Sequence, residues 1–412
     1  MKFYIEGYGC SLNLGETEQI SGFLKSNGFK KINEIKKADY IIINTCSVKM
    51  VTQQRMISRI EKLFIEKKSS AKILVTGCLG ATNPNDIQKI NPQIIVLDTK
   101  LEKLCEFFGL KKEAFSPKIN EEKSHEKISI IPISVGCVNN CTYCATKLAR
   151  SKLHSYPIKE IDNAFKRAIL TSKEIHITSQ DLGCYGFDIG TNLVELIKTL
   201  LKNKGDYRIR LGMMSPQHFH KFRNELTDLF KDERLYKFLH LPVQSGSDKI
   251  LKSMKRDYTS KNFIEEVKFV RKKVNDITIS TDIIVGFPGE TEDDFKKTLN
   301  LIKKTVPEVV NISRYGKRKG TKAAVMPLQL TEPEKKERSR ILSVLVKELL
   351  AKKSKKLNGK IFPVLVSEKA KGGYFTARTN NYRPILVSAS FGQFVKVKIT
   401  QTYPNFFKGT IL

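Results

Sequence analysis

The chain of 412 residues is 40% hydrophobic and 28% charged, which is the profile of a folded protein, and its length suggests two or three domains. A heat-adapted lysine-rich surface would explain part of the formal net charge of +31, but so large an excess of bases favours a polyanionic partner, most simply nucleic acid. No apolar run approaches the ~20 residues of a membrane span, and no signal peptide is recognisable, so we expect a cytoplasmic protein without a membrane partner.

Residues 1–110 alternate between strand and helix patterns. Strands are predicted at residues 3–8, 40–45, 72–76 and 94–97, and apolar residues at helical spacing lie between them, at 20–24 and 57–64. This alternation predicts an α/β domain with a parallel sheet flanked by helices.

Three cysteines of this domain occupy equivalent places. Cys10, Cys46 and Cys78 each follow one of the first three long strands. Because the carboxyl ends of parallel strands share one edge of a sheet, we expect the three thiols to converge there as a metal site. Three unrelated buried cysteines are the plainer alternative, and Cys105, on an apolar helix face, is assigned to the core.

A polar, aperiodic segment at residues 111–126 predicts a linker. A second domain, residues 127–330, contains six predicted strands with helices between them. A partial (β/α)6 barrel suits this pattern, with chemistry at the carboxyl ends of its strands. The strands are predicted at residues 128–135, 174–178, 208–213, 238–243, 278–285 and 309–314.

The remaining residues predict a connecting helix at 331–356 and a small antiparallel β-barrel at 357–412. The helix opens on a capping-box pattern, Thr331 to Glu334, and the apolar period changes to two after Gly359. Arg378, Tyr382 and Arg383 supply cations and a stacking ring of the kind that binds RNA. Ordinary surface arginines explain this patch equally well.

Cys137, Cys141 and Cys144 lie within eight residues, directly after the first barrel strand. Three thiolates on one loop can hold three corners of a 4Fe–4S cluster and leave one iron without a protein ligand. A zinc site needs a fourth ligand, which distant Cys184 would have to supply, so zinc is the weaker alternative.

The Cys-x-x-x-Cys-x-x-Cys spacing, with Tyr143 before the last cysteine, resembles the signature of the radical S-adenosylmethionine (SAM) enzymes. The whole chain resembles the methylthiotransferases among them, which combine a three-cysteine domain, a radical SAM barrel and a C-terminal TRAM domain. The contexts of Cys10, Cys46 and Cys78 carry this resemblance, together with residues 241–247 (LPVQSGS) and 282–291 (DIIVGFPGET).

The resemblance implies two 4Fe–4S clusters, one on each cysteine triplet. The barrel cluster would cleave SAM to a 5′-deoxyadenosyl radical that abstracts hydrogen from a C–H bond, and the second would carry the sulfur to be inserted. No catalytic residues beyond the cluster ligands are predicted, and Cys184 is assigned a structural role. Residues expected to contact SAM lie on the barrel rim: Tyr143, Gln180, Asp181, Gln244, Ser245, Gly246, Asp282 and Gly286.

Residues 141–157 resemble the branch that modifies threonylcarbamoyladenosine in tRNA, and Arg150 is grouped with the predicted RNA contacts. tRNA is the expected partner, together with an electron donor and a sulfur source that the sequence does not identify. Isopentenyladenosine in tRNA and an aspartate of a ribosomal protein are the alternative substrates. The non-enzymatic alternative is an RNA-binding protein braced by iron–sulfur clusters.

Overall fold

The computed structural model describes residues 1–46, 50–99, 101–110 and 128–412. These residues form an N-terminal α/β unit, a half barrel of parallel strands and a small closed β-barrel. The predicted linker at residues 111–126 lies outside the described residues, and the predicted domain boundaries stay proposals. Within the described ranges, no helix combines the length and apolar character needed to cross a membrane.

The N-terminal unit is a five-stranded sheet in the order β2-β1-β3-β4-β5, with all neighbours parallel. Its central strand is buried on both faces, with Ile41 and Ile43 packing on one side and Ile42 on the other, which accounts for its continuous apolar run. The strands are β1 Lys2–Gly7, β2 Lys30–Lys31, β3 Tyr40–Thr45, β4 Lys72–Gly77 and β5 Ile95–Val96. The helices are α1 Ser11–Ser26, α2 Met50–Glu66, α3 Cys78–Thr82, α4 Pro84–Gln88 and α5 Leu101–Phe108.

The second unit contains the six predicted parallel strands. Two three-stranded sheets, β10-β9-β6 and β11-β12-β13, are joined by parallel bridges from Ile209 to Leu235 and from Met213 to His240. The strands are β6 Ile128–Pro132, β7 Ser134–Val135, β8 His154–Ser155, β9 Glu174–Thr178, β10 Arg208–Leu211, β11 Phe238–His240, β12 Thr278–Val285 and β13 Val309–Arg314. The helices are α6 Thr146–Ala149, α7 Ile158–Thr171, α8 Leu193–Leu201, α9 Pro216–Leu229, α10 Asp248–Ser253, α11 Ser260–Lys273, α12 Glu292–Thr305 and α13 Glu332–Lys355.

The first predicted barrel strand is divided in the structure. After β6, the chain forms the two-residue strand β7, which pairs antiparallel with β8 and leaves the sheet of the half barrel. This short ribbon brackets the loop that carries Cys137, Cys141 and Cys144, so both ends of the loop are anchored.

Alternate residues of the barrel strands face opposite environments. Ile175, Ile209 and Leu239 pack into the main core beneath the helices, whereas the neighbouring positions face the barrel interior and include polar residues such as His176 and Arg210. The half barrel therefore has an apolar outer layer and a partly polar interior.

The C-terminal unit is a closed barrel in the order β14-β15-β16-β18-β17, and α13 leads into it. Thr331 and Glu334 form the predicted capping box at the start of α13. The predicted antiparallel pairing holds except between β16 and β18, which are parallel. The strands are β14 Ile361–Lys369, β15 Phe375–Thr379, β16 Pro384–Val387, β17 Phe394–Thr402 and β18 Phe407–Ile411.

Candidate metal centres

The N-terminal cysteines lie where the chain leaves three adjacent strands. Cys10 precedes α1, Cys46 follows β3, and Cys78 is the first residue of α3. Strands β1 and β3 are neighbours although β2 separates them in sequence, so the cysteines lie at the switch point of a doubly wound sheet, where such folds bind ligands. Gly9 has φ +109°, and a Cβ there would come within 2.6 Å of the Cys46 sulfur, so only glycine permits this close approach.

Asn13 holds these strand ends together. Its side-chain amide donates hydrogen bonds to the Thr45 carbonyl at 2.7 Å and to the Tyr8 carbonyl at 3.1 Å, and its oxygen lies 4.0 Å from the sulfur of Cys78. Cys46 and Cys78 are buried, while Cys10 is exposed. The site thus has two enclosed thiols and one open side.

Arg150 connects this site to the half barrel. Its guanidinium donates two hydrogen bonds of 2.5 Å to the carboxylate of Glu16 on α1, and the two side chains are only 1% and 7% exposed. Burial raises the pKa of the Cys78 thiol to about 11, and the adjacent Arg150 opposes that rise. The predicted RNA contact at Arg150 is therefore corrected, since a buried side chain paired with Glu16 cannot reach an external phosphate.

The loop of the second triplet is fixed by its backbone. Gly136 has φ +84°, and a Cβ there would lie 1.7 Å from the Lys152 carbonyl oxygen, so the loop requires glycine at this turn. The Gly136 N–H donates to the Gln180 side chain at 2.8 Å. Thr142 donates through its N–H to Met254 and through its hydroxyl to Ser253, which ties the loop to α10.

Hydrogen-bond donors and a cation surround the thiols of this loop. Arg256 donates to the sulfur of Cys141 at 3.1 Å, and the Asn139 N–H donates to the sulfur of Cys137 at 3.4 Å. Burial raises the pKa of Cys144, whereas a hydrogen bond from Cys184 lowers the pKa of Cys137 to about 7. Three thiols with donors aimed at their sulfurs suit the thiolate ligands of an iron–sulfur cluster.

Cys184 lies closer to this site than the sequence suggests. Its sulfur, that of Cys137 and a carboxylate oxygen of Asp181 lie within 4.8 Å of one another, and His218 Nδ1 is 3.2 Å from the Cys184 sulfur. Within the described residues, this group does not extend to Cys141 or Cys144, as the zinc alternative requires.

The predicted SAM contacts lie on the rim and differ in how many of their polar atoms already form hydrogen bonds. Asp181 accepts hydrogen bonds from the Gly183 and Ser215 N–H groups, and Asp282 accepts from Asn311 and lies 3.0 Å from His240 Nε2. The Gly246 N–H donates to Thr298.

Four further rim residues complete the predicted set. Tyr143 packs edge-on against Phe287, and the Gly286 N–H donates to Glu290. Gln244, at φ +71°, keeps a buried side-chain oxygen without a hydrogen-bond donor in the described structure, so it is the rim residue with most capacity for a ligand. The Ser245 hydroxyl lies 3.4 Å from the Thr298 hydroxyl.

The other predicted RNA contacts are engaged within the chain. Arg383 pairs with Asp276 of the half barrel at 2.6 Å, and Tyr382 packs against Tyr236 and Phe238 of the same unit. Arg378 pairs with Glu368 at 3.2 Å and stacks on Tyr382, both inside the C-terminal barrel. Tyr382 and Arg383 therefore help to dock the C-terminal barrel on the half barrel, and RNA binding by these three residues stays a prediction.

The two triplets face one seam. Helix α3, which begins at Cys78, packs against α6, which begins two residues after Cys144. Beside this contact lies a cleft of about 320 Å³, lined by Ala145 and by three consecutive bases, Lys317, Arg318 and Lys319. The guanidinium of Arg318 also experiences the charge of Cys46. This basic edge was not predicted, although Lys317–Lys319 is visible in the sequence as a short run of basic residues (KRK).

Comparisons with known proteins match the three units separately. The Radical SAM superfamily matches residues 131–302, the Uncharacterized protein family UPF0004 matches residues 2–98, and the TRAM domain matches residues 355–412.

Full-length relatives carry one shared name. The chain is 39% identical to a probable threonylcarbamoyladenosine tRNA methylthiotransferase of Methanocaldococcus jannaschii, over 100% of this chain and 97% of that protein. The Pyrococcus horikoshii protein of the same name is 38% identical over all of both chains. The human threonylcarbamoyladenosine tRNA methylthiotransferase is 34% identical over 99% of this chain and 73% of its own length.

Among solved structures, the radical S-adenosylmethionine methyltransferase TsrM from Kitasatospora setae matches with a TM-score of 0.59 at 12% identity, over 79% of this chain and 77% of that chain. The cobalamin-dependent S-adenosylmethionine radical enzyme OxsB matches with a TM-score of 0.53 at 13% identity, over 84% of this chain and 56% of that chain. At these identities the likeness concerns the fold alone.

Proposed function

The chain belongs to the family of threonylcarbamoyladenosine tRNA methylthiotransferases, and we propose that it replaces a ring hydrogen of threonylcarbamoyladenosine, beside the anticodon of tRNA, with a methylthio group. The observation that carries this proposal is the pair of three-cysteine sites on one seam between units. Three cysteines at each site can hold a 4Fe–4S cluster and leave one iron open for chemistry, which a merely structural role would not require.

The radical SAM superfamily match implies SAM and a 4Fe–4S cluster, which Cys137, Cys141 and Cys144 would hold. We propose a second 4Fe–4S cluster on Cys10, Cys46 and Cys78. When bound, the two clusters supply reductive cleavage of SAM and the sulfur to be inserted. A reductant and a sulfur source must come from outside the chain.

The protein side chains hold this chemistry in place. Arg256 and Asn139 orient the sulfurs of the barrel loop, and the Arg150–Glu16 pair fixes the N-terminal unit against the half barrel. Because helices α3 and α6, which adjoin the two triplets, pack against each other, we propose that one nucleotide is served by both sites. The proposed SAM contacts remain Tyr143, Gln180, Asp181, Gln244, Ser245, Gly246, Asp282 and Gly286.

The tRNA would approach the basic edge of the cleft. Lys317 and Lys319 line the cleft beside both triplets, and we add them to the proposed phosphate contacts. The net charge of +31 and the TRAM domain match support an RNA substrate. A cytoplasmic location follows as part of this proposal, because the substrate is tRNA.

Nucleoside analysis of tRNA tests the function. In a strain lacking this protein, digested tRNA should contain threonylcarbamoyladenosine and lack its methylthio derivative by mass spectrometry. Wild type should restore the derivative and Cys141→Ala should not, whereas Cys105→Ala, a buried cysteine outside both triplets, serves as the matched control. Unchanged nucleosides in the deletion strain would contradict the tRNA assignment and favour a binding protein or the ribosomal-protein substrate.

A further inference from the structure

One arginine inside the half barrel has no anionic partner. Arg210 lies on β10, and its guanidinium stacks 4.9 Å from the ring of Phe238 and 5.1 Å from the ring of Tyr382. Within the described ranges, no carboxylate lies within 4.0 Å of it, and its Nε is buried without a hydrogen-bond acceptor. Three other arginines have carboxylate partners: Arg150 pairs with Glu16, Arg338 with Glu290 and Arg378 with Glu368, while the buried Arg318 donates to the side chain of Gln53 instead.

The carboxylate that could neutralise Arg210 from the adjacent strand already has other hydrogen-bond partners. Glu174, one inward position lower on the adjacent strand, lies 2.6 Å from His176 and accepts hydrogen bonds from the hydroxyls of Tyr236 and Tyr382. Arg210 is half-buried, and no carboxylate among the described residues pairs with it, so its guanidinium keeps hydrogen-bond donors for an anionic ligand.

The position of Arg210 suits the far end of a bound nucleotide. Arg210 lies three residues before Met213, which forms a β-bridge with His240 near the rim. At the rise of a β-strand, about 3.3 Å per residue, Arg210 therefore lies about 10 Å below the rim. Tyr382 packs against Tyr236 and Phe238, and its ring lies 5.1 Å from the guanidinium of Arg210. A nucleotide that reaches into the half barrel from its rim would therefore meet Arg210 with the part most distant from the chemistry.

The proposed substrate carries a matching group. A threonine joined to adenine through a carbamoyl link keeps a free carboxylate, which extends roughly 6 Å from the purine ring by ordinary bond lengths. Arginine is the side chain best suited to two parallel hydrogen bonds with a carboxylate. An isopentenyl group in the same place would leave the cation enclosed against hydrocarbon.

We propose that Arg210 binds the threonyl carboxylate of the substrate nucleotide and thereby selects threonylcarbamoyladenosine over adenosines whose N6 substituent is uncharged. This inference rests on the proposed function. It assigns Arg210 to substrate binding and gives it no part in bond breaking.

Substrate analogues test the inference on the unaltered protein. Fluorescence anisotropy with reconstituted full-length enzyme compares anticodon stem-loop RNAs that carry threonylcarbamoyladenosine, its neutral threonine-amide analogue, or plain adenosine. The charged RNA should bind about 10- to 100-fold more tightly than the amide analogue, as expected for a charge-assisted hydrogen-bond pair. Equal binding of charged and amide RNAs would overturn the inference.

Variants connect that preference to Arg210. Arg210→Gln should abolish the preference for the carboxylate, and Arg210→Lys should retain part of it. Arg208→Gln is the matched control: it removes an arginine from the same strand that stacks on Phe394 of the C-terminal barrel, and it should keep the full preference. A full preference in Arg210→Gln would overturn the inference, as would loss of SAM cleavage by that variant in the absence of RNA, because the residue would then serve SAM.

The methylthiolation assay separates this inference from the proposed function. If the wild-type enzyme converts the threonylcarbamoyladenosine RNA and Arg210→Gln converts it with an unchanged KM, the inference fails alone. If the wild-type enzyme makes no methylthio product from any RNA, the proposed function fails and the inference falls with it. A raised KM for Arg210→Gln with a normal KM for Arg208→Gln is the expected result.

Discussion

Replacing Arg150 with alanine should uncouple the N-terminal unit from the half barrel. The guanidinium is 1% exposed and makes two 2.5 Å hydrogen bonds to Glu16, so Arg150→Ala leaves a carboxylate buried without its counter-ion. Removing one partner of a buried pair typically costs about 3–5 kcal/mol, much of it from the stranded charge. Because Arg150 also lies beside Cys78, the variant should retain less iron at the N-terminal site.

Urea unfolding followed by circular dichroism measures the stability loss, and iron content per chain measures the effect on the site. Arg340→Ala, which removes the exposed pair with Glu337, is the control and should unfold as the wild type does. The double variant Glu16→Leu with Arg150→Met should recover most of the loss, since no unpaired charge remains. An Arg150→Ala protein that unfolds like Arg340→Ala and keeps its full iron content would refute the argument.

Three further perturbations follow from the geometry. Gly136→Ala should remove about half of the iron, because the new side chain would collide with the carbonyl of Lys152 and displace the cysteine loop. Gly190→Ala, at φ +69° in open space, should keep the iron. Equal iron contents in the two variants would contradict this. Burial alone would raise the pKa of Glu174, but its hydrogen bond with His176 and nearby cations lower it from 4.5 to about 2. The stability that this carboxylate contributes is therefore complete above about pH 4.5 and is lost as pH falls towards 2. Glu174→Gln should flatten the dependence of Tm on pH between those values. A variant with the wild-type slope would argue against the pairing. Tyr382→Ala should lower stability by about 1–3 kcal/mol and let a protease release the C-terminal barrel, a result that an intact digestion pattern would exclude.

The long strands of the N-terminal sheet, and the cysteines that follow them, were predictable because both depend on short-range pattern. Strand β3 is a continuous apolar run, and each N-terminal cysteine follows a strand, so the shared edge of a parallel sheet brings the cysteines together. The same reasoning placed the barrel loop on the functional rim. The break between β6 and β7 and the pairing of β7 with β8 were missed, because two-residue strands are too short to show a period.

The roles of the arginines were not predictable from local sequence. Arg150 pairs with Glu16, 134 positions away in the sequence, and Arg383 pairs with Asp276, 107 positions away. Arginines that resembled RNA contacts in the sequence therefore link units in the structure. Arg210 was missed for a related reason. Its strand has four residues, too few to show which side chains face the barrel interior.

The most direct test of the central claim is a single reaction followed by mass spectrometry. Anaerobically reconstituted protein is mixed with dithionite, SAM and a stem-loop RNA containing threonylcarbamoyladenosine. The wild type should produce 5′-deoxyadenosine together with the methylthio nucleoside. Cys141→Ala should produce neither, and Cys46→Ala should produce 5′-deoxyadenosine without the methylthio nucleoside. Formation of the methylthio nucleoside by Cys46→Ala, or absence of 5′-deoxyadenosine with the wild type, would contradict an enzyme that uses two cysteine sites on one substrate.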